Sequence, residues 1–479
     1  MNVKLSKLVI AALASTSLMG FGGLAHADST DDIVNALVMK GVLTEEEGAL
    51  LTKGHSGESA AAKKEKDHTV HAASKMNIRG YLQVRNTTLD KDARNVNLFS
   101  DRSVANKYSI KDKDGNFVIR RARLIVSGSA GDRLDYYLQP DFASGPSGAS
   151  TNGFQFAQLR DYYGDLNITK DKVHRIRVGQ SKVPFGFENL QSSQNRLALD
   201  RADALNSAVK DERDIGAFYY YTPSDTQKLF KEIMDLGLKH SGNYGMFALG
   251  AYNGQGANQR ESNDNYHLVA RATYPWKTES GQIYEMGIQG YTGKYIPSVG
   301  TKYRKVATPT VETTPTIEGS STYNKYGIKD ERAAISFMMY PMPFGLQGEW
   351  NWGKTPGLDA ASGVVKEQKL DGGYVQAMYK IDHVKVGETD GTLIPFVRWQ
   401  YFDGYSKAET NSPQNKVNDW ELGAEWQIAP EVEFVAYYHH MNRSNLVTGS
   451  NSSTTNPSGN ADYARFTADA IRMQLQYNF

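Results

Sequence analysis

The clearest chemistry in this sequence lies in four arginines at two-residue spacing: Arg121 and Arg123, and Arg175 and Arg177. In an extended chain residues i and i+2 share a face. Each pair therefore presents two guanidinium groups to one side, opposite Ala122, Leu124 and Val126 in the first case and Ile176 and Val178 in the second. A guanidinium holds phosphate and other oxyanions through parallel N–H donors. A path for anions needs such donors spaced so that an ion passes between neighbours without being trapped. Arg133 and Arg160 are further candidates for the same wet face. The geometry serves a second purpose equally well, because Asp135, Asp141, Asp161, Glu188, Asp200, Asp203, Asp211 and Glu212 are available to neutralise these cations as ion pairs bracing a wall. Only a net positive potential separates a conducting ladder from a braced wall.

Other chemistries find less support. His439 and His440 lie near Ser444, but adjacent strand positions face opposite sides, and no third group is present to orient a base toward an activated serine. No catalytic residue is assigned. Asp112-Lys113-Asp114-Gly115-Asn116 starts like a calcium loop, yet counting from Asp112 puts Phe117 where that loop needs glycine and Arg123 where it needs glutamate. Asp114-Gly115 reads as a turn. Gly254-Gln255-Gly256 resembles part of a nucleotide loop without the helix that must follow it. His68 and His71 lack a third ligand for a metal. Cysteine is absent, which removes thiolate metal sites, disulfides and a lipidated cysteine. No cofactor is expected.

The elements that must position the arginines follow from pattern. Lys4 and Lys7, the apolar run Leu8 to Leu18, and Ala25-His26-Ala27 form a secretory signal with cleavage after Ala27. Its removal takes two lysines and no acid, so the 54 basic residues fall to 52 against 53 acidic ones, a balance that gives nucleic-acid binding little support. Residues 28–75 form a separate periplasmic piece, with Ile33, Val34, Leu37 and Val38 at helical spacing, a stop at Gly41, and a second short helix capped by Thr44 and Glu47. The stretch from Gly54 to Ser74 reads as a linker.

From Asn77 onward the period becomes two. Ile471, Met473, Leu475, Tyr477 and Phe479 alternate with Arg472, Gln474, Gln476 and Asn478. The same alternation recurs at 420–428 and 346–352. Mean hydropathy is −0.53, and no stretch beyond the signal has the roughly 18 apolar residues of a spanning helix. Alternating lipid-facing strands average out as hydrophilic, so a membrane barrel survives this test. Connections swing between a few residues (130–132, 341–343, 429–431) and long polar stretches near 86–116, 184–212, 295–324 and 442–463, the habit of a transmembrane barrel with short turns at one rim and long loops at the other. Fifteen strands can be placed. Between Arg213 and His240 two more candidates, 214–222 and 232–240, compete, and only one can span if short and long connections keep to opposite sides. Sixteen strands are favoured, with eighteen as the alternative. The expected fold is an all-β transmembrane antiparallel barrel over 76–479, closed because no amide can stay unpaired in lipid, and at this size wide enough for a water-filled lumen.

The runs Phe117 to Leu124, Arg177 to Gly186, Arg213-Asp214-Ile215-Gly216 and Ala248 to Gly254 resemble, in that order, the phosphate-selective porin O and P family, with the likeness spanning about 77–479 and clearest before residue 275. The resemblance implies a sixteen-stranded barrel, usually a homotrimer, in the lipid of a Gram-negative outer membrane, passing phosphate and similar small anions by passive diffusion through a cationic constriction. In such porins the loop in the position of 184–212 folds inward. Its basic residues Arg196, Arg201 and Lys210, with Lys182 just before and Arg213 just beyond, become constriction candidates. A general porin, a barrel-type outer-membrane enzyme and a barrel sheath around a haem protein are the alternatives. The likeness leaves 28–75 unexplained.

Overall fold

The computed structural model describes residues 75–90, 98, 100–101, 117–144, 156–300, 303–305, 308–319, 326–446 and 463–479. The signal sequence, the 28–74 helices and linker, His68, His71 and Asp112 to Asn116 lie outside the described residues.

Strand formation follows the two-residue period. In chain order the strands are β1 (Lys75–Leu89), β2 (Phe117–Ala130), β3 (Leu134–Ser144), β4 (Phe156–Asn167), β5 (His174–Lys182), β6 (Arg213–Tyr221), β7 (Phe247–Tyr252), β8 (His267–Lys277), β9 (Ile283–Tyr295), β10 (Tyr303–Lys305), β11 (Thr308–Thr313), β12 (Thr316–Ile317), β13 (Ile328–Met339), β14 (Phe344–Asp359), β15 (Val364–Tyr379), β16 (Ile381–Val386), β17 (Thr389–Tyr405), β18 (Gln414–Ala429), β19 (Val432–Leu446) and β20 (Tyr463–Asn478). Sixteen of them, β1–β9, β13–β15 and β17–β20, pair antiparallel with their neighbours, and β20 returns to β1 to close the barrel. Two strands of the same sheet stand outside the ring: β12 lies parallel to β15, and β16 forms a hairpin with the start of β17. The separate β10–β11 ribbon belongs to a loop. All fifteen strands read from the alternation are present, and the sixteenth is β6. The rival 232–240 instead holds the end of a helix, Ser224–Asp235, whose Phe230 and Ile233 are buried at helical rather than strand spacing.

Closure gives every strand a lipid face and a lumen face. On β20, Ile471 and Tyr477 are 47% and 41% exposed, whereas the alternating Arg472, Gln474 and Gln476 are buried. Aromatic rings stack on neighbouring strands, Trp276 against Tyr284 near the short β8–β9 turn and Trp350 with Trp399 and Tyr401 along β14 and β17, and amphipathic rings of this kind suit a barrel wall near the membrane interfaces.

The lumen is far from empty. The connection between β5 and β6 folds inward and buries Val183, Phe185, Leu205 and Val209 against Phe218, Tyr291 and Tyr374 of the wall. A second apolar cluster joins Phe187, Leu197 and Leu199 of that loop to Phe230, Ile233 and Leu238 of the β6–β7 connection. Sixteen strands enclose more volume than wall side chains can fill; here two connections occupy much of it.

The seam between first and last strands is tight. Gly80 and Phe479 exchange main-chain hydrogen bonds of 2.7 and 3.0 Å, and a Cβ on Gly80 meets the Arg123 carbonyl and the Phe479 ring, each at 2.5 Å. Overpacking at backbone distance costs about 3 kcal/mol. Gly80→Val should therefore lower the temperature at which the compact folded band is lost in semi-native electrophoresis, while Gly131→Ala, whose Cβ meets nothing within 4 Å, shifts it by no more than about 1 kcal/mol of backbone strain allows.

Candidate functional site

The inward loop is held by polar groups of the wall. It begins with a short helix α1 (Phe187–Leu190), whose first amides, Phe187 N and Glu188 N, donate to the Glu349 carboxylate at 2.6 Å each; Tyr374 steadies the same carboxylate at 3.0 Å. Lys182 donates to the carbonyls of Leu190 and Gln191 at 2.9 and 2.7 Å. Further on, α2 (Asp203–Asn206) is gripped by Arg332, through the carbonyls of Ala204 and Ser207, and by Arg443, which bridges Asp203 and Asp419 at 2.6 Å each. Between the two helices Asp200 meets Arg85 at 3.1 Å and Arg472 at 2.6 Å, and Asp101 from the β1–β2 loop binds the same two arginines at 2.6 Å. Burial alone would raise the Asp200 carboxyl; Arg85 and Arg472 outweigh it and hold the group well below the usual carboxylate range. Glu212 is likewise lowered against its burial, by Arg201 and Arg213.

Between this loop and strands β2–β4 lies a cavity of about 420 Å³. Eight basic and seven acidic side chains line it, so its potential depends on which cations lack a partner. Most sequence candidates are paired. Arg123 bonds Asp141 at 2.7 Å and the Tyr81 hydroxyl. Arg160 reaches Asp211 at 3.4 Å and Glu212 at 3.7 Å. Arg201 pairs with Glu212, and Arg213, just outside the cavity lining, spans Asp161 and Glu212 at 2.7 and 2.8 Å. Arg177 binds Asp165 through two nitrogens at 2.7 and 2.8 Å and lies 3.7 Å over the Tyr163 ring. Arg175, on the same face, donates to the Asn243 carbonyl. Lys182 serves the loop carbonyls already described. Arg133 sits exposed in the β2–β3 turn, bonded to the Ile168 carbonyl at 2.6 Å, away from the loop.

Lys182 and Arg133 thus meet only carbonyls, and three further candidates, which line the cavity, are also without a carboxylate among the described residues. Arg121 donates to Gln83 Oε1 at 2.8 Å and leaves Nε unpartnered. Arg196 has only a 3.5 Å contact to the Leu199 carbonyl, with Nε and Nη1 unpartnered. Lys210 is half-buried and makes no ion pair. All three line the cavity. Arg120 joins them from a position that strict alternation assigns to the other face. The β1–β2 register slips between Gln83, opposite Arg121, and Val84, opposite Ile119. Arg120 is the extra residue of this bulge, and it turns inward to the Ser100 carbonyl at 3.1 Å, with Asp101 and Asp200 each 3.9 Å away. Nothing in the local sequence marks the bulge.

The remaining motifs resolve into wall structure. His439 faces the lumen and meets Asp419 at 2.9 Å, while His440, on the opposite face, meets Asp469 at 2.7 Å. The amides of Gly254 and Gly256 both bond Asp214 at 2.9 Å, so a resident carboxylate fills that turn. No group of three or more metal-ligating side chains occurs among the described residues.

A family model described as phosphate-selective porin O and P matches residues 94–479. No curated protein matches the chain. Among solved structures, OmpT of Vibrio cholerae is 11% identical over 84% of this chain and 97% of its own, with a TM-score of 0.44. Salmonella typhi OmpF in complex with daunomycin is 11% identical over 84% and 97%, with a TM-score of 0.48. An anion-selective porin from Comamonas acidovorans is 12% identical over 84% and 99%, with a TM-score of 0.46.

The Asp200 cluster generates a stability prediction. Removing one partner of a buried ion pair leaves an uncompensated charge and costs about 3–5 kcal/mol. Asp200→Ala should lower the denaturant midpoint of the refolded barrel by that order, and the double variant Arg85→Met, Asp200→Ala should recover part of the loss. A single variant as stable as the parent would remove the clamp from the account.

Proposed function

The chain belongs to the phosphate-selective porin O and P family, and from that premise we propose that it is an anion-preferring channel in which Arg121, Arg196 and Lys210 supply the selecting charge. The protein is an outer-membrane porin of a Gram-negative bacterium, a channel and not an enzyme. The observation carrying the finer reading is that these three cations line the cavity with no carboxylate against them among the described residues. An ion pair presents almost no net field to a passing solute, whereas an unpaired guanidinium in a partly dehydrated bore attracts anions more strongly than in bulk water.

The braced arginines have a different task. Arg123, Arg177, Arg201 and Arg213 spend their donors on Asp141, Asp165, Glu212 and Asp161. They hold wall and loop in shape, and in doing so they hold the unpaired groups in place. Phosphate is favoured over chloride because a guanidinium offers two parallel donors to two oxygens of one ion. The homotrimer and the removal of residues 1–27, with 28–75 left in the periplasm, complete this reading.

In a planar bilayer under a KCl gradient, the purified protein should show discrete steps and a reversal potential on the anion side. Replacing Arg121 and Arg196 by glutamine should move that potential toward zero, each guanidinium accounting for roughly 1 kcal/mol, or about fivefold in permeability ratio. Cation preference in the parent would end the anion reading and leave the pore. Millimolar phosphate should reduce chloride current in the parent and less so in the double variant; an unaffected current would make the protein a general porin.

A further inference from the structure

The connection between β6 and β7 is the exception among the turns at its rim of the barrel. Instead of a few residues it runs from Thr222 to Met246 and contains the helix α3 (Ser224–Asp235). Phe230 and Ile233 of α3, with Leu238 after it, pack against Phe187, Leu197 and Leu199 of the inward loop and against Tyr340 and Phe396 of the wall. The chain then crosses the bore. Lys239 pairs with Glu425 of β18, and four residues later the Asn243 carbonyl accepts from Arg175 of β5. Around the closed ring β5 and β18 are seven strands apart one way and nine the other, almost diametrically opposed. On its upper side the crossing segment touches the inward loop twice: Gln191 donates to the Lys239 carbonyl at 2.9 Å, and Asn195 lies 3.2 Å from His240 Nε2.

Its backbone turns at three glycines. Gly237, Gly242 and Gly245 have φ of 64°, 97° and 80°, conformations that glycine reaches without a Cβ penalty, and they bracket the crossing at each end and within it. Its apolar fastenings lie at the two ends, Leu238 in the cluster with α3 and Tyr244 edge-on to Tyr220, and the stretch between them is held by polar contacts. A fixed wall element would need neither the glycines nor anchors on opposite walls.

We propose that Gly237–Gly245 is a strap across the turn-side half of the bore, acting as a second gate below the arginine constriction, and that solutes leave the pore when it swings aside. The inference concerns conductance rather than ion preference, so it stands or falls separately from the anion reading.

The parent chain has no cysteine, so an introduced pair is unique. In full-length protein, Asn195→Cys with His240→Cys joined by a short bifunctional thiosulfonate ties the strap to the loop. Single-channel conductance should fall at least fivefold on cross-linking and return on reduction, while either single cysteine treated alike shows no change. Equal conductance in the linked and reduced states would overturn the gate. Lys239→Ala, which releases one anchor without a new side chain to accommodate, gives an independent reading. Longer or larger openings are expected, and gating identical to the parent counts against the strap.

Discussion

Backbone amides in hydrocarbon have no water to bond, and this one constraint propagates through the molecule. It forces β1 against β20, with Gly80 and Phe479 trading main-chain hydrogen bonds at the seam. A closed sheet of sixteen strands then has an inner surface facing a bore too wide for its own side chains to fill. Every strand must offer apolar residues outward and polar residues inward, and the inward set must find partners or water.

Partners come mainly from two connections folded into the bore. The loop between β5 and β6 brings Glu188, Asp200, Asp203 and Glu212 to arginines and lysines that would otherwise crowd one another. Arg85 and Arg472 share Asp101 and Asp200; Arg398 takes Glu188; Arg443 takes Asp203 and Asp419. Desolvation disfavours each of these charges, and the pairs offset that penalty only because both members are present and further hydrogen bonded. The loop is thus an electrostatic keystone, and its apolar underside, from Phe185 to Val209, fills the volume that remains. A wall of this kind uses positive charge for architecture, which separates the abundance of arginine from the question of selectivity. In the proposed anion channel, what acts on a passing ion is the residue left over, at Arg121, Arg196 and Lys210.

The β2 bulge shows how a local irregularity alters that remainder. By adding one residue opposite the Gln83–Val84 step, it turns Arg120 toward the cavity although its neighbour Arg121 already faces inward. Two adjacent guanidiniums then border one space, where a regular strand would have sent one of them into lipid at high cost. The bulge is therefore both a shape device and a means of placing charge.

Much of the architecture was legible in the residues themselves. A two-residue period is local: Ile471 to Phe479 against Arg472 to Asn478 declares its two faces without reference to any other strand, and short turns such as 130–132 and 429–431 declare their own rim. Fifteen strands followed from this, and the need for just one more between Arg213 and His240 followed from keeping long and short connections apart; that it is β6 and not 232–240 was decided only by the helix Ser224–Asp235. Arg121, Arg123, Arg175 and Arg177 could be assigned to the wet face for the same reason. Which of them would be neutralised could not, because the partners are set by where an inward loop comes to rest: Asp200 meets Arg472 and Asp203 meets Arg443 across more than two hundred residues. The bulge at Arg120, the burial of Lys182 beneath the loop and the crossing of the bore by Lys239 to Asn243 belong to the same class. Periodicity belongs to the strand and is written in it, whereas charge compensation inside a closed barrel belongs to pairs of segments and exists only once they are packed together.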